Sequence, residues 1–88
     1  MSDVLGKLRV QLELQEWPGV YMYKFIVPNH SENIEAIKLL FDDTAIIKTT
    51  ISKNGNFVSV SIEEVALHVD IIIEKYQQAS LIKGIISL

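Results

Sequence analysis

The side chains here that could do chemistry are two histidines, two adjacent acid pairs and two serines spaced i, i+2. His30 and His68 are the only histidines and neither sits in a His-x-x-x-His spacing, so no zinc cluster is expected from three or four ligands. Glu63 and Glu64 are neighbours on a strand pattern, and adjacent strand residues point to opposite faces. They therefore cannot share a proton as a catalytic dyad. Asp42-Asp43 precedes Thr44 and reads as turn chemistry. Ser59 and Ser61 share a face, but no base lies near them in the sequence and no G-x-S-x-G elbow exists. Gly6, Gly19, Gly55 and Gly84 are isolated, so there is no glycine loop to cradle a phosphate. Trp17 beside Pro18 reads either as a binding anchor or as a plug at a sheet edge, and the plug is favoured on burial grounds. No catalytic constellation, metal or cofactor is expected.

Composition narrows the classes further. The 88 residues suffice for one core and not for two. Eight Lys+Arg against eleven Asp+Glu give a net charge of −3, which disfavours binding that rests on phosphate neutralisation. With no cysteine there can be no disulfide, thiol catalysis or Cys-ligated metal, and the expected compartment is a reducing cytoplasm. No charged start followed by an apolar segment marks a signal peptide, and no apolar run reaches the roughly 20 residues of a membrane helix. The mean hydropathy of +0.27 is high for so small a domain, and implies apolar surface that meets a protein partner or a second copy.

The elements that must position these groups follow from periodicity. Residues 1–16 form an N-terminal extension that reads as a short helix through Val4, Leu5, Leu8 and Leu12, with Ser2 or Asp3 as caps. The alternation of Leu8, Val10, Leu12 and Leu14 keeps a strand open there. Trp17-Pro18-Gly19 ends this segment, and residues 17–88 form the domain. Tyr21, Tyr23, Phe25 and Val27 share one strand face, and Met22, Lys24 and Ile26 the other. After Pro28, Asn29 or Ser31 caps a helix over 31–41 with the stripe Ile34, Ile37, Leu40 and Phe41. Two alternating runs, 46–53 and 57–66, flank Asn54-Gly55, which fits a type I′ hairpin or, with Asn56, a longer loop. Val69, Ile72, Ile73 and Tyr76 stripe a second helix over 68–79, and residues 82–88 read as the closing strand.

This order predicts an α+β, ferredoxin-like βαββαβ sandwich: a four-stranded antiparallel sheet with two helices on one face. Tyr23, Phe25, Ile47, Ile51, Val58, Val60, Ile62, Ile82 and Ile86 would then point inward. The open face would carry Met22, Lys24, Ile26, Lys48, Thr50, Ser52, Ser59, Ser61, Lys83, Ile85 and Ser87, a hydroxyl-rich surface with three lysines and no acid. Such a face suits an acidic partner, although an uncovered antiparallel face is polar by default. RNA recognition on this fold needs aromatic rings there, and Tyr21, Tyr23 and Phe25 fall on the wrong side.

Trp17-Pro-Gly-Val-Tyr-Met-Tyr-Lys-Phe-Ile-Val27, Asn54-Gly-Asn-Phe-Val-Ser-Val-Ser-Ile62, Tyr76 and the closing Ile-Lys-Gly-Ile-Ile-Ser-Leu88 resemble the YbeD-like family of small bacterial proteins. The resemblance implies a fold like that of ACT regulatory domains, which bind amino acids or pair with enzymes. It brings no catalytic residues. The loop Val27-Pro28-Asn29-His30-Ser31 departs from ligand-binding ACT domains, which place a glycine there. The reading is a non-enzymatic regulatory or protein-interaction module that binds through Lys24, Lys48, Ser59, Ser61 and Lys83, or pairs copies through a sheet edge. The alternative is a small-molecule sensor using Asn29, His30 and Ser31 at a helix N-terminus.

Overall fold

Two strands of alternating β-branched and aromatic residues form the centre of the fold, a computed structural model that describes residues 4–88. In chain order the elements are α1 (Val4–Glu13), β1 (Gly19–Pro28), α2 (Ser31–Lys38), β2 (Ile46–Ile51), β3 (Phe57–Ala66), α3 (Val69–Ala79) and β4 (Ile86–Ser87). The strands form one antiparallel sheet in the order β2-β3-β1-β4. An α+β protein with this sheet and three helices is consistent with the expected ferredoxin-like plan.

The core is built on one face of that sheet. Tyr23, Phe25, Val27, Val58, Val60, Ile62 and Ala66 join Leu12 of α1, Ile37 of α2 and Val69, Ile72, Ile73 and Tyr76 of α3 in a single buried cluster. Burying a side chain of this size contributes roughly 1.5–3 kcal/mol. Within each strand these residues alternate at i, i+2, and the register sets the two series opposite one another, so the helices cover one face and leave the other open. The helices lie over β1 and β3 rather than over the outer strand β2.

The first segment is helical. Leu12 is buried and Leu5 and Leu8 lean on the core, so α1 shares the cluster with the rest of the chain. The caps expected at Ser2 and Asp3 lie outside the described residues. Trp17 is a plug: its indole packs against the core and Nε1 donates to the Leu12 carbonyl at 2.8 Å.

Two local expectations change and one open choice is settled. The cap of α2 is His30, which makes no side-chain bond to the helix, because Asn29 turns away to donate from Nδ2 to the Gly55 carbonyl at 2.9 Å. The hairpin takes its longer form. Ser52 and Phe57 close it, Gly55 has φ +77°, and no described non-glycine residue, Asn54 included, adopts positive φ, which excludes type I′. Asn54 instead accepts from Ser52 Oγ and from the Asn56 N–H. The expected inward Ile51 is 62% exposed, since it sits at the far end of the edge strand, away from β1 and β3 on which the helices pack.

The last strand departs most. Only Ile86 and Ser87 pair, opposite Ile26 and Phe25. Gly84 has φ +78°, and a Cβ there would stand 2.9 Å from Pro28 Cγ, so the chain bends tightly past the end of β1 before pairing. That bend sets the register. Ile86 lies on the open face, 50% exposed, whereas Ser87 takes the Phe25 side. Ile82 and Ile85 lean on the core from the turn. Lys83 belongs to that turn and is not on the sheet face, contrary to expectation.

Candidate functional site

The open face is built row by row from the register. Lys24, Ser61 and Lys48 stand in one line across β1, β3 and β2. Neighbouring strands lie about 4.8 Å apart, so the two ammonium stems flank the serine at about 10 Å from each other. The next row is Ile86, Ile26, Ser59 and Thr50, and on the other side Met22, Glu63 and Ile46 align. Val20 pairs with Val65 at the end. Val20, Met22, Ile46, Val65, Phe57 and Ile86 are all exposed. A groove of about 310 Å³ runs between Ile26, Thr50, Ile51, Ser52, Phe57 and Ser59.

Four of the five expected partner-binding residues, Lys24, Lys48, Ser59 and Ser61, are therefore gathered on one surface, and Lys83 is not. Glu63 is an acid on this face that the sequence reading did not place there. It faces Met22 across the ladder, while Glu64 faces Tyr21 on the covered side, so the two glutamates are separated as expected. The face is a pair of lysines in a frame of apolar side chains with one carboxylate beside them.

Lys83 lies instead in a cleft of about 710 Å³ with Pro28, His30, Glu32, Asn33 and Gly84. Of the residues expected for ligand binding, His30 lines this cleft; Asn29 bonds to the hairpin, and Ser31 opens α2. Asn33 Nδ2 donates to the Pro28 carbonyl at 3.1 Å and holds the strand-to-helix corner.

A further group of titratable side chains lies elsewhere, in a cluster that only folding assembles. Asp42 accepts from the Thr44 N–H at 2.9 Å and from its hydroxyl at 2.5 Å, which holds the Asp42 carboxyl below the usual range. Glu64 sits beside it, and partial burial together with the Asp42 charge raises its carboxyl. Lys75 donates to the Leu40 carbonyl and stands 5.1 Å from the centroid of the Phe41 ring. A cleft of about 450 Å³ opens over these groups. Beneath the helices Tyr23 is 1% exposed with a hydroxyl that has no partner among the described residues, and burial raises its pKa and so keeps the phenol neutral. The neighbouring hydroxyls of Tyr21 and Tyr76 bond to each other at 2.8 Å.

A carboxyl whose folded pKa lies above its unfolded value binds its proton more tightly when folded. The native state gains stability as pH falls through that range and loses the gain above it. Glu64→Gln is accordingly expected to raise the urea midpoint at pH 7 and to match the wild type near pH 3, where Glu64 is already neutral. Equal midpoints at both pH values would refute the repulsion between Glu64 and Asp42.

At the other end of the helical layer Arg9 bonds Asp70 at 2.6 Å, joining α1 to α3 and lowering the Asp70 carboxyl, with His68 3.8 Å away. This exposed pair contributes little to stability. Among the described residues no three His, Asp or Glu side chains come together to hold a metal ion. No described helix is long and apolar enough to cross a membrane. Comparisons of the chain with protein families, curated proteins and solved structures return no match, so nothing there identifies the YbeD-like family that the motifs resemble.

Proposed function

We propose that the chain is a ferredoxin-like, non-enzymatic interaction module of the cytoplasm that docks an acidic protein segment on its open sheet face. The line Lys24–Ser61–Lys48, held in register by three strands and framed by exposed Met22 and Ile46 and half-buried Ile26, carries this reading. Rigid strands fix the spacing of the two ammonium groups, and the apolar frame supplies area that excludes water around them. The hydroxyls of Ser59 and Ser61 offer directional bonds between the charges. The resemblance of its motifs to the YbeD-like family, which implies a fold like that of ACT domains that bind amino acids or pair with enzymes, supports a regulatory role.

The test is charge reversal. Lys24→Glu with Lys48→Glu is expected to lower the affinity for the captured partner at least tenfold, and raising salt should weaken the wild-type complex in the same direction. Both sites are exposed strand positions, so the stability change should stay within about 0.5 kcal/mol. Equal retention of the partner by the reversed and wild-type proteins would discard this face.

One observation favours a second reading. The cleft that brings His30 and Lys83 to the start of α2 has room for a small anionic ligand, with Glu32 as an opposing charge in its wall. A sensor of this kind is stabilised by its ligand as RT ln(1 + [L]/Kd). Thermal shift with a panel of anionic metabolites separates it from a docking module, whose melting temperature such compounds leave unchanged.

A further inference from the structure

Among the described residues β2 is a six-residue strand with a neighbour on one side only. It contains no proline or glycine and pairs with β3 residue for residue from Ile46↔Glu63 to Ile51↔Val58, without a bulge. Natural edges are usually shortened, bulged, covered or guarded by a lysine, and of these devices β2 carries only Lys48.

The direction of its backbone groups follows from one bond. The Ser52 N–H donates to the Phe57 carbonyl at 2.9 Å. Alternate residues of an antiparallel strand point the same way, so Thr50, Lys48 and Ile46 address β3. Ile47, Thr49 and Ile51 then direct their N–H and C=O groups outward. These same three residues lie on the helix side of the sheet, where Ile51 and Thr49 are exposed and Ile47 is half-buried. Free backbone groups and uncovered β-branched side chains thus coincide on one edge.

We propose that a second copy of this chain supplies the missing neighbour, β2 pairing antiparallel with β2 about a two-fold axis through Thr49. This inference does not depend on the docking face above. In this register Thr49 opposes the partner's Thr49, and Ile47 opposes the partner's Ile51. Every outward-pointing residue meets another, which forms about six hydrogen bonds between the chains. The two Ile47–Ile51 pairs close apolar surface on the helix side. Charge selects this register over its neighbour centred on Lys48, which would set two ammonium groups on the closest cross-strand pair, about 4.5 Å between Cα atoms. With the axis at Thr49, Lys48 stands opposite the partner's Thr50. A two-fold axis perpendicular to the sheet keeps both helical layers on one side and joins the two open faces into one surface.

A contact of this size is at the small end of specific interfaces, so sedimentation at about 0.5 mM is the appropriate measurement. The wild type is expected at twice the chain mass. Thr49→Pro removes an outward N–H and no bond to β3, and should sediment as a single chain with the amide spectrum of β1 and β3 retained. Lys24→Glu, which weakens the docking face, should leave the doubled mass intact. Because the chain has no cysteine, Thr49→Cys should be joined into covalent dimers by a short bis-maleimide, and Val65→Cys should not. This pair of variants decides the matter if Thr49→Pro fails to fold. A wild type of single-chain mass at 0.5 mM, a doubled mass that survives Thr49→Pro, or equal crosslinking at both cysteines would overturn the proposal. A single-chain wild type that binds another protein through this edge would reject a second copy as the occupant.

Discussion

Phe25→Ala is expected to lower the stability of this domain by about 3–5 kcal/mol, a large part of the 5–15 kcal/mol that holds a typical domain together. Phe25 is fully buried at the middle of β1, between Val60 of β3 and Ser87 of β4. Its ring packs 5.8 Å from that of Tyr76 and 6.4 Å from that of Tyr23. Truncation removes one of the ring contacts between the sheet and Tyr76 of α3 and leaves a cavity that central strands, fixed by ladders on both sides, cannot close. Urea unfolding should show a lower midpoint with an unchanged slope. A loss below about 1 kcal/mol would contradict the central placement of Phe25, because cavities in fixed cores cost more.

Replacing Gly84 by Ala should detach the closing strand, at a cost of about 2–3 kcal/mol from the left-handed backbone and the overlap together. The added methyl would meet Pro28 Cγ at 2.9 Å and Cδ at 3.1 Å in a backbone already at φ +78°. The readout is hydrogen exchange at the Leu88 amide, which donates to the Lys24 carbonyl at 2.9 Å and should lose its protection. Gly55→Ala is the internal comparison. It has nearly the same φ but open space around the site, so only the dihedral cost of about 1–2 kcal/mol applies. Equal losses at the two glycines would show that the contact with Pro28 does not matter.

Both substitutions act on parts of the fold that the sequence reveals unequally. The faces of β1 and β3 and the stripe of α3 were legible because each is a long run of one period, two for Tyr21 to Val27 and near 3.6 for Val69 to Tyr76. The end of the chain was not. Ile82, Ile85 and Ile86 read as a strand by hydrophobicity, yet the positive φ of Gly84 interrupts the run and shifts the surviving pair by one residue. A one-residue shift exchanges the faces, which is why Ile86 and Ser87 are reversed. Ile51 departs from expectation for a different reason: alternation tells which way a side chain points, not whether another element reaches it. Among the residues proposed for docking, the shared face of Lys24, Lys48, Ser59 and Ser61 follows from parity alone. The pairing of Asp42 with Glu64 could not, since it joins a turn to a strand through the tertiary fold.

The docking of Trp17 has a practical corollary. The chain has one tryptophan, and its indole is fastened to the carbonyl of Leu12, at the hinge between the first helix and the sheet. The tyrosines cluster separately, around Tyr23 and beneath the third helix. Indole emission and tyrosine circular dichroism are therefore two optical channels on different parts of one molecule. If the leading helix peels away before the interior melts, the first channel changes while the second stays constant.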